Sequence, residues 1–353
     1  MFVLVTGATG FIAGQLIPRL LAHGHEVRAM ARDPHRLDQP WVGTIDVVAG
    51  DVMLPATLPA ALHGVHTAYY LIHSMSSGCG YTARDLEGAR NFAQAAATAG
   101  VQHIIYLGGL ADPKQQIAPH MRSRVQTGLT LRQGPVPVTE FRASVIAGSG
   151  STSFEMIRRI TELFRIIPGP VWLRHRTQPI AAQNVVDYLL GALEQWDGQG
   201  RVIEIGGPEV TTYADLMLCY AGARRLKRSM VLIPGLPVWL MALGFRLLTS
   251  VPRATAAALI GGLRVDSVVV HDDAARFFPG VELIDFASVA RATLNPLQLA
   301  PRDRALQTAM RWLNGFGHWI FAAFGEALTV SRRAAAHLLE VPLLRPYGLA
   351  ETR

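Results

Sequence analysis

Residues 119–127 read PHMRSRVQT, and His120 and Arg124 stand four apart, the spacing that stacks two side chains on one face of a helix. Imidazole titrates near neutrality and can act as a general acid. Guanidinium keeps its charge, and its fixed donors hold hydroxyls or an anion. An imidazole acid beside a guanidinium clamp is a coherent pair. Contact with a cofactor or substrate without proton transfer is a second expectation, and a solvated surface a third.

Other residue types could join such chemistry. Tyr81 follows the Gly-rich stretch SMSSGCG and is an alternative acid, or else a core or loop aromatic. His73 and Ser74 close a strand-like run, where functional side chains often sit. LRHRTQ (173–178) offers Arg174, His175, Arg176 and Gln178 to a polar or anionic substrate, or is a structural loop. Glu155 reads as an exposed helical charge before it reads as a cleft carboxylate. Cys79, between two glycines, would react only with a stabilised thiolate.

The most informative stretch is VLVTGATGFIAG (3–14), which ends a predicted strand and opens a predicted helix. Gly7 permits the tight turn, and Gly10 lets backbone N–H groups approach a pyrophosphate at the helix N-terminus. Ala13 is small enough for close helix–strand packing. This is the context of a dinucleotide site. The second strand ends in Met30-Ala31-Arg32, where a NAD-preferring site usually keeps an acid. Arg32 suits a 2′-phosphate, so NADP(H) is expected over NAD(H), with NAD(H) left open because Asp33 follows.

These residues need elements to position them. FVLVTG (2–7), EVRAM (26–30), IDVVAG (45–50), TAYYLI (67–72), HIIYLG (103–108) and VPVTEFRA (136–143) read as strands, with helical patterns between them. Alternation of this kind implies right-handed crossovers and an α/β, Rossmann-type doubly wound parallel sheet. Three regions follow: residues 1–150 as the NAD(P)-binding core, 151–295 as a smaller, mostly helical substrate region interleaved with late sheet elements, and 296–353 as an apolar helical extension. In the middle region, Thr211 or Thr212 is a plausible N-cap for TTYADLMLCYAGA.

Composition narrows the class. Half of the 353 residues are hydrophobic, mean hydropathy is +0.24, and disorder is excluded. Two cysteines, Cys79 and Cys219, build no disulfide framework and lack metal-ligand spacing, which fits a reducing cytoplasm. Met1 runs straight into an apolar strand with no basic leader, so no signal peptide is expected. Net charge is +7, but no nucleic-acid motif accompanies the basic clusters. The apolar stretches 232–248 and 312–330 contain charges, prolines or glycines that argue against spanning helices. They read as buried helices or a homo-oligomer interface, or as peripheral membrane contacts beside Arg332 and Arg333.

With TGATGFIAG, GDV (50–52), LGGL (107–110), YYLIHSM (69–75), FRASVIAGSGSTSFEMIR (141–158), RTQPIAAQNVVDYL (176–189) and IEIGGPEVTTYADLM (203–217) in view, the chain resembles the short-chain dehydrogenase/reductase superfamily. More specifically, it resembles the atypical or extended, NmrA-like NAD(P)H-binding group. The resemblance covers residues 1–295. It implies that Thr6, Gly7, Thr9, Gly10, Phe11 and Ile12 surround the pyrophosphate and that Arg32 lies near the adenosine 2′ position. It also implies Asp51 and Val52 near the adenine, and Leu71, Ile72 and His73 beside the nicotinamide ribose. The fifth strand's end at Gly108, with Ala143, Ser144 and Val145 after the sixth, would frame the nicotinamide.

The superfamily's working centre is a Tyr-x-x-x-Lys pair with a Ser on the preceding strand. Here the Ser position falls in GGL (108–110), without a hydroxyl, and the pair falls on His120 and Arg124. The expectation is an NADPH-dependent oxidoreductase reducing a polarised C=C, C=N or C=O bond of an apolar small molecule without the usual centre. The alternative is a non-catalytic NADP(H)-binding sensor or assembly factor.

Overall fold

The computed structural model describes residues 1–73, 80–111, 117–194, 200–235 and 260–293. All of them belong to one compact unit, Met1–Leu297. Its centre is a seven-stranded, all-parallel sheet. The strands are β1 (Phe2–Thr6), β2 (Glu26–Ala31), β3 (Asp46–Ala49), β4 (Thr67–Tyr70), β5 (His103–Gly109), β6 (Val138–Ala143) and, from the second half of the chain, β11 (Val202–Ile205). Their order across the sheet is β11-β6-β5-β4-β1-β2-β3. The order reverses between β1 and β4, and at such a switch point ligands bind beyond the carboxyl ends of the strands.

Both faces of the sheet are covered, so its strands are mostly apolar, and the charges they carry are paired, Glu140 with Arg142 on β6 and Arg28 of β2 with Asp46 of β3. Val3, Val5, Tyr69 and Ile105 face one core with α1 (Phe11–Ala22) and α6 (Ala182–Glu194). Leu4, Ala68, Tyr70, Ile104 and Tyr106 face the other with α2 (Leu58–Leu62) and α3 (Tyr81–Thr98). α4 (Pro119–Arg132) packs beside α3 and contributes Leu131 to that core. The doubly wound Rossmann architecture expected from the alternating runs is the one found.

A third core covers the substrate side. Phe154 on α5 (Thr152–Leu163), Tyr220 on α7 (Tyr213–Ala223) and Phe286 on α9 (Phe286–Ala292) meet edge to face, with ring centroids 5.9 and 5.8 Å apart about Phe154. Thr212 caps α7, its hydroxyl accepting from the Asp215 N–H at 3.1 Å. Short strand pairs brace this region: β7 (Ile146–Ala147) with β10 (Ile180–Ala181), β8 (Ile166–Pro170) with β13 (Ser229–Ile233), and β9 (Arg176–Thr177) with β12 (Thr211–Thr212). The small helix α8 (Asp273–Phe277) packs Phe278 against Phe141 and Tyr188.

Because β11 and α6 come from the 151–295 region, that region supplies sheet and cover alike. No helix among the described residues is long and apolar enough to cross a membrane. The stretch 312–330, most of 232–248, Ser74, Cys79 and the whole of 296–353 lie outside the described residues.

Candidate active site

At the switch point, Gly7 has φ +65°, and a Cβ there would stand 2.9 Å from the Leu71 carbonyl oxygen. Any side chain would therefore collide with the β4 backbone as well as strain its own. Gly10 is the N-cap of α1, its N–H donating to the Gly7 carbonyl at 2.8 Å. No side chain caps α1 and no acid sits in its first turn. Its leading N–H groups and positive dipole end are thus left to an outside acceptor, the arrangement that a pyrophosphate fits. Thr9 and Gly10 are exposed there, while Phe11 and Ile12 are half-buried. The Phe11 ring lies under the 148–150 loop, 3.1 and 3.2 Å from where Cβ atoms of Gly148 and Gly150 would be.

Thr6 plays a different part from its neighbours. It is fully buried, its hydroxyl donates to the Tyr69 carbonyl at 2.9 Å, and it accepts from the Leu71 N–H at 3.1 Å. The side chain stitches β1 to β4, so any contact with a phosphate would come from its backbone.

At the end of β2, Arg32 is exposed. The neighbouring Asp33 carboxylate accepts from the His35 N–H at 3.1 Å and caps a short 3₁₀ turn over Pro34–Arg36. Asp51 likewise spends one oxygen on the Met53 N–H at 2.9 Å, leaving the other available. Val52 is buried against Gly88 of α3, and its carbonyl accepts from the Asn91 amide at 2.8 Å. Leu71 and Ile72 are half-buried and His73 keeps an exposed edge. Surrounding protein, then the Arg124 charge, lower the His73 pKa.

The ends of β5 and β6 form one wall of a second cavity. Gly109, Leu110, Ala143, Ser144 and Val145 line it together with His120 and Arg124. Opposite stand Met156, Ile157 and Ile160 of α5, Tyr213 and Met217 of α7, and Ile260, Leu263 and Val265. The lining is mostly apolar, and no carboxylate is among the described residues that form it.

Side-chain bonds to its neighbours hold α4 in place, among them an ion pair from Arg132 to the buried Glu140 of β6. The Ser123 hydroxyl donates to Asp85 of α3 at 2.7 Å, and the Tyr106 hydroxyl of β5 donates to the Arg124 carbonyl at 2.9 Å. Pro119 occupies the first turn, where its missing N–H costs nothing. His120 is 5% exposed, and burial followed by the Arg124 charge lowers its pKa to about 4. Its Nδ1 and the Arg124 Nε find no hydrogen-bond partner among the described residues.

Gly108 is buried beneath Tyr106, Glu140 and Phe141, its missing Cβ 3.1 Å from the Tyr106 ring. At Gly109 a Cβ would lie 2.7 Å from the Met121 methyl and 3.0 Å from Arg124 Cδ. The side chains of α4 therefore fill the space that a serine at this strand end would need.

Tyr81 opens α3 and is not among the residues lining the cavity. Burial, then the Asp85 charge, raise its pKa. The LRHRTQ stretch does not line the cavity as a ligand cluster either. Arg176 donates to Asp266 from both its N–H and Nε, at 2.9 and 3.0 Å, and His175 Nδ1 lies 3.1 Å from the same carboxylate. Gln178 bonds the Gly207 carbonyl and the Val269 N–H. This clamp secures Ser267, whose hydroxyl donates to the Leu110 carbonyl at 2.7 Å. Glu155 is likewise engaged locally, accepting from the Gly150 N–H.

Tyr213, not singled out from the sequence, lines the cavity, and Thr177 lies behind Ser144 without lining it. Thr177 is fully buried, and its Oγ1 lies 2.8 Å from Ser144 Oγ. Tyr213 is 5% exposed and faces Thr177. Burial pushes its phenol up to about 12, although hydrogen bonding with Thr177 favours the phenolate.

Residues 7–128 match a family model described as NAD(P)H-binding. Among curated proteins, cinnamoyl-CoA reductase 1 of Oryza sativa subsp. japonica is 33% identical over 214 residues, covering 55% of this chain and 61% of that protein. The chloroplastic divinyl chlorophyllide a 8-vinyl-reductase of Zea mays is 27% identical over 232 residues, covering 58% and 55%. The chain thus spans about three fifths or less of the length of these relatives. Among solved structures, the triphenylmethane reductase of Citrobacter sp., complexed with NADP(H), superposes with a TM-score of 0.67 at 19% identity, covering 83% of this chain and all of that one. The resemblance drawn from the Gly-rich motif is borne out: residues 7–128 are an NAD(P)H-binding domain on a Rossmann fold.

Proposed function

We propose that this chain is an NADPH-dependent oxidoreductase that reduces a polarised C=C, C=N or C=O bond in an apolar small molecule. The observation that carries the reading is the apolar cavity at the ends of β5 and β6, with Arg124 and His120 in its wall. The reductases named above, acting on a cinnamoyl thioester, a vinyl group and a triphenylmethane dye, support it as a class.

Cofactor binding falls to the α1 N-terminus for the pyrophosphate and to the exposed cation Arg32 for a 2′-phosphate, while one oxygen of the neighbouring Asp33 serves its own turn. When bound, NADPH supplies a hydride. Leu71, Ile72 and His73 would border its ribose, and Gly108, Ala143, Ser144 and Val145 its ring.

Reduction builds negative charge on the substrate atom that accepts the bond electrons. Arg124 answers that charge from a poorly hydrated wall, where a fixed cation is worth more than in water. His120, neutral above pH about 5 given its lowered pKa, acts as a hydrogen-bonding partner rather than an imidazolium acid. The met-rich and isoleucine-lined side grips the apolar body of the substrate.

The test is consumption of NADPH, followed by its ultraviolet absorbance, against enones, quinones, imines and ketones. Oxidation in the presence of one of these classes supports the reading. Tight NADPH binding with no oxidation by any class would return the chain to the sensor or assembly-factor alternative.

A further inference from the structure

Several partly buried arginines of this chain are neutralised by acids. Arg132 and Arg142 share the buried Glu140, Arg28 meets Asp46, and Arg158 reaches both Glu155 and Glu162. Arg124 departs from that pattern. It is half-buried in the cavity wall and forms no ion pair or side-chain hydrogen bond among the described residues. Its Nε is shut off from solvent without a partner.

The surroundings do not offset the charge. No carboxylate is among the described residues that form the cavity, and the facing wall is Met156, Ile157, Ile160 and Met217. For His120 and for His73, burial and then the Arg124 charge lower the pKa, and no acid counters either shift. A cation facing apolar walls is costly unless a counter-charge meets it, so the cavity is built to receive an anion. His120 is 5% exposed in the same wall with its Nδ1 unpartnered, and a neutral N–H there would give that anion a further donor.

In the oxidoreductase reading the cofactor's phosphates go to the α1 N-terminus and to Arg32. The end of NADPH beside β5 and β6 then brings only ribose hydroxyls and an uncharged ring, so the anion falls to the substrate. Arg124 shares its wall with Ala143, Ser144 and Val145, which border that ring in the same reading. The anionic group therefore sits at the reacting end of the substrate, with the apolar body against α5 and α7.

Resting on the oxidoreductase reading, we propose that the substrate is an apolar carboxylic acid, its carboxylate held by the Arg124 guanidinium and attached directly to the C=C or C=O bond that is reduced. A guanidinium fork matches a carboxylate with two parallel N–H bonds and keeps donors to spare for the neighbouring atom. Hydride from NADPH forms the new C–H bond at the β carbon of a 2-enoate or the keto carbon of a 2-oxo acid. The π electrons move to the α carbon or to the keto oxygen, which takes a proton from water. The carboxylate itself is unchanged.

Saturated probes separate binding from turnover. 4-Phenylbutanoate and 4-phenylbutanamide differ in charge but hardly in shape, and neither has a bond that NADPH reduces. Calorimetry on NADPH-loaded protein should give a Kd for the acid about 10- to 100-fold below that for the amide, the span of a charge-assisted pair. Arg124→Gln should bring the two together, and Arg124→Lys, which keeps the charge without the fork, should fall between. NADPH affinity should change little in either variant. 4-Phenylbut-2-enoate and 2-oxo-4-phenylbutanoate, each beside its amide, then test turnover, and oxidation of NADPH should be faster with the acid.

Equal affinity for acid and amide in native protein overturns the proposal without any variant. A preference that survives in folded Arg124→Gln also overturns it, as does loss of NADPH binding there, which would assign the cation to the cofactor. If neutral enones or quinones are reduced while the acids do not bind, the substrate class is overturned and the oxidoreductase reading stands. If the acid preference depends on Arg124 but no alkene or carbonyl compound is reduced, the oxidoreductase reading is overturned and an acid-binding cavity remains.

Discussion

The Asp33 carboxylate accepts a hydrogen bond from the His35 backbone N–H at 3.1 Å, so one oxygen of the acid nearest the end of β2 is engaged in its own turn. Arg32, one residue earlier and exposed, is the cation at the place where a dinucleotide's adenosine ribose is read. We expect Arg32→Ala to raise the KM for NADPH by about 10- to 100-fold, the worth of a charge-assisted hydrogen bond of ~1.5–3 kcal/mol. The KM for NADH should hardly change. Equal losses for the two cofactors would remove the assignment of Arg32 to a 2′-phosphate.

His120 and Arg124 share a wall but should separate kinetically. The imidazole is depressed to about 4 by burial and by the adjacent guanidinium. It does not change charge between about pH 5.5 and 8, so log kcat should be flat across that range. His120→Gln, which keeps a neutral hydrogen-bonding group, should retain most of kcat. Arg124→Ala should raise the substrate KM and lower kcat together. An inflection near pH 6.5 that disappears in His120→Gln would restore the imidazolium acid.

The missing serine is a packing result as much as a sequence difference. Met121 and Arg124 sit 2.7 and 3.0 Å from where a Gly109 Cβ would be. Gly109→Ser should therefore lower stability by about 1–3 kcal/mol through overpacking, measured by urea unfolding. Adding Met121→Ala should recover part of that loss. If Gly109→Ser is neutral, α4 does not press on β5 as the structure has it.

The strands and the dinucleotide turn were legible because each rests on local physics. Six apolar runs fall on β1 to β6, since a sheet covered on both faces needs continuous apolar strands. Gly7 was legible because its turn demands positive φ. The far wall of the cavity was not, because it is assembled across distance. Ser144 meets Thr177 across 33 positions, and the partner of His175 and Arg176, Asp266, lies about ninety positions on. Arg176 and His175 read as free ligands only while that carboxylate is out of sight. The rivalry between Arg32 and Asp33 likewise depends on a capping bond that spacing alone does not reveal.

A buried histidine far from the cavity sets the acid limit of stability. His103 on β5 is 1% exposed, and its Nε2 lies 2.9 Å from the Thr139 hydroxyl of β6. Burial, then the nearby His66, lower its pKa from 6.5 to about 4. The unfolded chain protonates this ring below pH 6.5, whereas the folded chain resists protonation until about pH 4. Between those values the unfolded state binds more protons, so stability falls as the pH drops. At one unit per 1.36 kcal/mol, His103 alone should remove about 2 kcal/mol between pH 7.5 and 5. The loss saturates below about pH 4, where both states are protonated. His103→Gln, which does not titrate, should flatten this limb even if it lowers stability at neutrality. Urea unfolding at the two pH values measures the difference. An equal drop in native protein and His103→Gln would mean that other groups, His120 first among them, carry the acid sensitivity.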